Sequence, residues 1–578
     1  MAERRGVALV LSLILLAVFV SAAGILILSM FARPAVSVPT SATLVLPLNA
    51  PWSEIEPSDV FQQVFDTPPA LRETIDTIRR AKDDARIKVL QIRPSTSAAL
   101  WAQLQEVHAA LVDFRESGKP VIAFLESAAT GDYYLATAAD RIVLMPAGQL
   151  DVAGLASYEL FFRGALDKIG VYPDLLHIGD YKTASNTFTE RDFTPEHREM
   201  TRALNQDWYD ELVRAVAAGR KVDEAAARAL VDGGPYLADA ALEAGLVDEL
   251  AYEDQLDDKE PIQGTQPVTR QQYARAAPAA ARGAGRVAVL YGVGTIASGE
   301  SQFDSPTGGL VLGSDTFAEW VRKVRVDPSI AAVVVRVDSP GGSAIASEVI
   351  WRELMLTRDV KPVVVSMGDV AASGGYYIAA PAHTIVAQPG TITGSIGVVT
   401  GKFVLQGALD KMGIGTGAVS SGPMAEIYSP FRPFSSDERA KLSDQMRAVY
   451  DLFVQRVADG REQPTTRIDA VAQGRVWTGR QARELGLVDE LGGLDDAVRI
   501  AAERARLDPA AGVSLVTYPA KRSLYEVLTR QFGSSSALGM GSALFARPEV
   551  RAAERAADII PLFRRSEPLA ILPNVFVR

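Results

Sequence analysis

The strongest constraint on this chain is that it contains one pattern twice. Ala165-Leu166-Asp167-Lys168-Ile169-Gly170 recurs as Ala408-Leu409-Asp410-Lys411-Met412-Gly413, an offset of 243 residues. At that offset Gly131, Tyr133, Tyr134, Ala136, Ala139, Ile142, Val143 and Pro146 match Gly374, Tyr376, Tyr377, Ala379, Ala382, Ile385, Val386 and Pro389. Further on, 245–250 recurs as 486–491, an offset of 241. Agreement held in register over such a distance means one structural unit used twice. The copies are expected at about 40–255 and 286–510, joined by a polar, Gln/Ala-rich linker over 256–285.

The local pattern identifies the unit as α/β. Strand spacing over 42–48 is followed by a helix over 70–83, a strand over 87–92, a helix over 99–116 and a strand over Val121–Leu125. In the second copy, 330–337 is a β-branched run of the kind a buried strand needs. A chain of 578 residues has room for two such domains. Its net charge of −11 argues against a nucleic-acid partner. It has no cysteine, which excludes disulfides, thiol catalysis and cysteine-held metals.

The copies differ where chemistry would sit. In the second, Ala371-Ala372-Ser373-Gly374-Gly375 precedes apolar residues at helical spacing, Tyr376, Tyr377, Ala379 and Ala380. That pattern places a hydroxyl at a helix N-terminus, where free N–H groups can face an oxyanion. One strand earlier, Asp338-Ser339-Pro340-Gly341-Gly342 ends the β-branched run with glycines that let a ligand approach the backbone. A base is harder to find. His383 follows Ser373 by ten residues, roughly 15 Å of helical rise. His108, His177 and His197 lie in no catalytic motif. A Ser-His-Asp triad is therefore unsupported, and a lysine with its pKa lowered by burial can take the role.

The first copy has Thr130 opposite Ser373, Ala98-Ala99 opposite Gly341-Gly342 and Val152 opposite Ser395. It carries Gly179-Asp180-Tyr181-Lys182-Thr183-Ala184, where the second copy has Ala425 opposite Lys182. Each copy lacks what the other holds, so one composite site per pair of copies is expected.

Outside the copies, residues 1–5 form a tip containing Arg4 and Arg5. Residues 6–31 are 26 uncharged positions, enough for a transmembrane anchor. The positive-inside rule keeps the arginines in the cytoplasm and sends the rest across. The alternative is a signal peptide cut near Ser21-Ala22-Ala23. Beyond about 510 the pattern weakens into a tail, 511–578.

Taken in order, Tyr181-Lys182, Asp338-Ser339-Pro340-Gly341-Gly342, Ala372-Ser373-Gly374-Gly375-Tyr376 and Thr393-Gly394-Ser395-Ile396-Gly397 resemble the long-form signal peptide peptidases of the S49 serine peptidase family. The resemblance implies Ser373 as nucleophile, Lys182 as general base and Ser395 as a hydrogen-bond partner of the lysine. It implies an oxyanion N–H from Gly341 or Gly342, with Gly374 in support. It also implies two tandem crotonase/Clp-protease-like ββα repeats, no metal or organic cofactor, and a homo-oligomer, commonly a homotetramer. The implied substrates are signal peptides and other apolar peptides, met at the periplasmic side of the inner membrane. One departure is Asn186-Thr187-Phe188, where the long form often has Glu-Pro-Phe. Two other readings stay open at this point: a crotonase-like acyl-CoA enzyme and a catalytically inactive membrane scaffold.

Overall fold

The computed structural model describes residues 37–55, 70–96, 100–276, 285–302, 310–508, 512–520, 568–572 and 576–577, with positions 18, 21 and 283. The expected anchor over 6–31 lies outside the described residues save for positions 18 and 21. Among the described residues no helix is long and apolar enough to cross a membrane.

Each copy is built on a largely parallel sheet. In the first, the order is Glu249–Leu250, Arg141–Leu144, Val121–Leu125, Ile87–Ser95, Ala42–Asn49 and Gln266–Thr269, all parallel. In the second, Val513–Tyr518, Gly285–Val293, Ala332–Ser339 and Val363–Ala372 run parallel in that order. Val363–Ala372 then pairs with both Thr384–Ala387 and Ile392–Gly394. The runs Val333-Val334-Val335 and Val363-Val364-Val365 are wholly buried, as strands covered on both faces must be. Matching helices pack beside them: Leu71–Asp83 on Trp101–Arg115 in one copy, Ser314–Val326 on Ala344–Arg358 in the other.

A third sheet joins the copies. Tyr172–Ile178 from the first runs antiparallel to Val398–Val404 from the second, in continuous register from Ile178↔Val398 to Tyr172↔Val404. Buried polar groups reinforce the joint. Arg336 of the second copy, buried in the core, pairs with Glu54 at 2.9 Å and with Glu106 at 2.6 Å, both from the first. Trp208 Nε1 donates to the Gly390 carbonyl at 3.0 Å, and the Gly390 amide donates to Gln105 Oε1 at 2.7 Å.

Two expectations are corrected. The stretch 256–285 is not merely a linker, because Gln266–Thr269 is an edge strand pairing with Ala42–Asn49 and is followed by the helix Arg270–Ala276. The second copy does not stop at 510, because Val513–Tyr518 is the equivalent edge strand. In both copies this strand covers the first strand's open edge, which otherwise leaves backbone groups unpaired. Gly341–Ser343 is a short strand of the third sheet, paired on one side with Thr295–Ala297 and on the other with Leu569–Ile571, a segment of the expected tail.

Candidate active site

The third sheet brings the two halves of the site together. Tyr172–Ile178 leaves the joint at Gly179, whose φ of 102° turns the chain back towards the second copy. Tyr181 N–H then donates to the Gln473 carbonyl at 2.9 Å. Gly474, at φ 76°, lies against Lys182 so closely that a Cβ there would sit 2.5 Å from the lysine backbone. Nothing in the local pattern of 473–474 advertises this role, since these residues contribute backbone rather than chemistry. The repeat offers one trace, Gly233 at the 241-residue offset.

Lys182 is wholly buried. Its Nζ lies 2.8 Å from Ser373 Oγ, 3.0 Å from Ser395 Oγ and 3.0 Å from the Ser395 carbonyl. Burial pushes its pKa well below the ordinary 10.5. Burial of this kind disfavours the charged form of the amine.

Ser373 sits between the end of Val363–Ala372 and the helix Gly374–Ala379. Its φ is 56° and its ψ is −113°, an uncommon conformation for a residue with a side chain. Ser395 also has positive φ, at 52°. Such backbone strain gathers at functional sites, where the surroundings over-determine the geometry. Here the Ser373 amide donates to the Gly394 carbonyl at 2.8 Å, and the Ser395 amide donates to the Arg475 carbonyl at 2.7 Å. Each serine is thus pinned through its amide by a neighbouring backbone carbonyl.

The three glycines converge on the same spot. A Cβ on Gly374 would lie 3.1 Å from both the Gly341 Cα and the Gly342 nitrogen. The Gly341 N–H donates to Ser339 Oγ at 3.2 Å, so it is engaged with the end of the preceding strand. Gly342 and Gly374 remain as the amides best placed beside Ser373.

The histidines have other polar neighbours. His108 lies 3.1 Å from Thr137 Oγ1, His177 3.0 Å from the Gly179 carbonyl and His197 2.9 Å from Glu159. His383 Nδ1 accepts from the Val363 amide at 3.1 Å. Asn186-Thr187-Phe188, the stretch that departs from the long-form pattern, is buried, with Phe188 edge-on to Phe403 at 5.2 Å. The loop carrying the lysine is therefore well packed with these residues in place.

Known proteins place the chain in a family. The profile of peptidase family S49 matches residues 113–260 and 356–508. Protease 4 of Salmonella typhi is 38% identical over 458 residues, covering 76% of this chain and 72% of that one. The chloroplastic serine protease SPPA of Arabidopsis thaliana is 29% identical over 472 residues, covering 79% and 69%. A solved structure of a membrane-bound stomatin-specific protease is 15% identical at a TM-score of 0.25, covering 40% of this chain and 98% of that one. Of the readings that the sequence left open, the peptidase stands: the chain belongs to peptidase family S49 and is a serine peptidase.

Proposed function

We propose that Ser373 is the nucleophile and Lys182 the general base of an endopeptidase that degrades cleaved signal peptides and other apolar peptides. The observation that carries this reading is the 2.8 Å approach of a wholly buried, charge-depleted lysine to the strained serine. A serine hydroxyl is a weak nucleophile until a base takes its proton. Lys182 removes that proton as Ser373 Oγ attacks the scissile carbonyl, then delivers it to the leaving amine. Water hydrolyses the acyl-enzyme by the same route. Base catalysis of this kind supplies roughly 10²–10⁴-fold. Ser395 holds Nζ on line through its hydroxyl and carbonyl. The Gly342 and Gly374 amides face the developing oxyanion, each such donor worth roughly 3–4 kcal/mol.

The anchor over 6–31, with Arg4 and Arg5 before it, would tether this site to the periplasmic face of the inner membrane. Peptides left in that bilayer would then meet it at high effective concentration. A homotetramer would extend the joint between copies from one chain to the next. Residues 415–421, the second copy's counterparts of Tyr172–Ile178, form no strand and lie exposed. The connection made once within the chain is thus open again at its other end, and head-to-tail contacts of that kind close into rings.

The test is cleavage of an apolar, leucine-rich peptide by the detergent-solubilised full chain and by Ser373→Ala. Cleavage is expected to vanish in the variant with its melting temperature unchanged. Cleavage retained by the variant would remove Ser373 from the mechanism. Added protease should reach residues beyond 40 from the periplasmic side of opened cells; digestion confined to inverted vesicles would reverse the orientation.

A further inference from the structure

The backbone that holds Lys182, Ser395 and Ser373 is itself tied together by one stack of side chains. Residues 473–475 run between the lysine and Ser395. The Tyr181 amide donates to the Gln473 carbonyl at 2.9 Å, the Gly474 amide to the Ile396 carbonyl at 2.8 Å and the Ser395 amide to the Arg475 carbonyl at 2.7 Å. Two residues on, Trp477 covers Gly394, with its Cδ1 2.9 Å from where a Gly394 Cβ would be. The Gly394 carbonyl is the one that receives the Ser373 amide.

Arg475 connects these holdings. Its guanidinium lies over two aromatic rings, 4.6 Å from the Tyr181 centroid and 4.5 Å from the Trp477 centroid, a favourable place for a cation. Its Nη1 donates to Glu199 Oε1 at 2.7 Å, and the Tyr181 hydroxyl donates to Glu199 Oε2 at 3.1 Å. Tyr181 and Glu199 belong to the first copy, Arg475 and Trp477 to the second, so the clasp closes across the joint. Tyr181 packs on the first copy's core and Trp477 on the second's. The repeat shows that this clasp is made once. At the 241-residue offset the first copy has Gly234 opposite Arg475, and the second has Ala440 opposite Glu199. At the 243-residue offset Met424 stands opposite Tyr181. The clasp is therefore kept only where the lysine meets the serines.

We propose that Arg475 is a positioning residue for Lys182. Its side chain contacts Glu199, Tyr181 and Trp477 and acts on the lysine through them. Closed over Tyr181, it keeps 473–475 against the lysine, where Gly474 fits so tightly that a Cβ would sit 2.5 Å from the Lys182 backbone. This rests on the Ser373/Lys182 reading and names a further residue which that reaction needs. Releasing the clasp has two consequences. Nζ loses its line to Ser373 Oγ, and a misplacement of about 1 Å can cost about 10²-fold. Water also reaches the lysine. Nζ faces the hydroxyls of Ser373 and Ser395 and the Ser395 carbonyl. Burial is the sole cause of its lowered pKa, so the titratable groups of the clasp, Arg475, Glu199 and Tyr181, do not set it by their charge. Hydration therefore moves it up towards the ordinary 10.5.

The test is the pH profile of kcat for a leucine-rich reporter peptide, measured on the detergent-solubilised full chain and on Arg475→Met. The substitution keeps an unbranched side chain and removes the guanidinium. At the optimum, kcat should fall about tenfold with KM changed by less than about twofold. The acid limb of the profile should move to higher pH by at least about half a unit, because a hydrated lysine holds its proton longer. A side chain that merely joined the copies would lower the melting temperature and leave that limb where it is. An acid limb that stays in place in folded Arg475→Met therefore overturns the proposal, whatever its kcat. Tyr181→Leu removes a ring of the clasp and should shift the limb in the same direction, so it carries the test should Arg475→Met not fold. An unshifted limb there overturns the proposal too. The two readings fail separately. Ser373→Ala that still cleaves sinks the dyad, whereas a chain that needs Ser373 but keeps its acid limb without Arg475 sinks only the clasp.

Discussion

Thr130 and Ser373 stand at equivalent points of the two copies, and their surroundings differ in a way that fits a single site. In the second copy the helix begins after a serine at φ 56°, and Gly375 leaves the helix N-terminus clear. In the first, the helix Thr130–Ala136 starts at the threonine itself, which has no positive φ. Asp132, the counterpart of Gly375, folds its carboxylate over that N-terminus. It accepts from the Thr96 amide at 2.5 Å, the Thr96 hydroxyl at 2.8 Å and the Ala129 amide at 2.9 Å. Asp132 thus puts an anion at the helix N-terminus where the second copy has a glycine, a favourable partner for the helix end. The first copy has exchanged chemistry for a well-capped scaffold and contributes its lysine across the joint.

The largest test of that division is Lys182→Met. Turnover of a leucine-rich peptide should fall by about the 10²–10⁴-fold that a general base supplies, with KM little changed. The unmodified enzyme should also lose activity as pH falls through the depressed lysine pKa. Between that pKa and the ordinary 10.5, the unfolded chain holds one more proton than the folded one. Folding stability therefore rises with pH across this window, falls as pH drops through it, and changes no further from this group below the depressed pKa. Lys182→Met should flatten this part of the stability–pH curve, measured by denaturant unfolding. A variant with the same slope would show that the lysine is not the titrating group.

A second test attacks the joint. Glu106→Ala leaves buried Arg336 with Glu54 as its remaining carboxylate partner. Breaking one arm of a buried ion pair costs about 3–5 kcal/mol. A loss below about 1 kcal/mol in urea unfolding would mean that the copies are held chiefly by the third sheet. Smaller still, Ser395→Ala removes one hydrogen bond to Nζ. A loss of about 1.4 kcal/mol, or tenfold in kcat, is expected. No change would leave the carbonyl of residue 395 as a sufficient anchor. The smallest expected effect is none at all. Ser373→Ala with Thr130→Ser should stay inactive, because Asp132 still covers the first copy's helix end. Recovered peptide cleavage would mean that the comparison is misread.

The strand and helix pattern was legible where it depended on local spacing. Val121–Leu125 matches its expected limits, and the helix expected over 70–83 is Leu71–Asp83. The chemical residues were legible because a repeat shows what each copy has lost. What sequence hid depends on distant pairing. Gln266–Thr269 is four residues with little burial of its own and is a strand because Ala42–Asn49 offers it an edge. Gly341–Ser343 has the composition of a turn and becomes a strand because backbone lies on both sides of it. Gly474 acts by having no side chain, so no chemical group marks it. The strand Leu569–Ile571 is too short to carry a period.

The central claim is that a lysine from one copy activates a serine in the other. It is tested most directly by the rate at which a serine-directed fluorophosphonate labels the folded full chain, with the modified residue identified by peptide mapping. The account predicts that Ser373 is labelled in the unmodified chain. It also predicts at least a hundredfold slower labelling in Lys182→Met, with melting temperature retained. Labelling of Ser373 at an undiminished rate without Lys182 would contradict it.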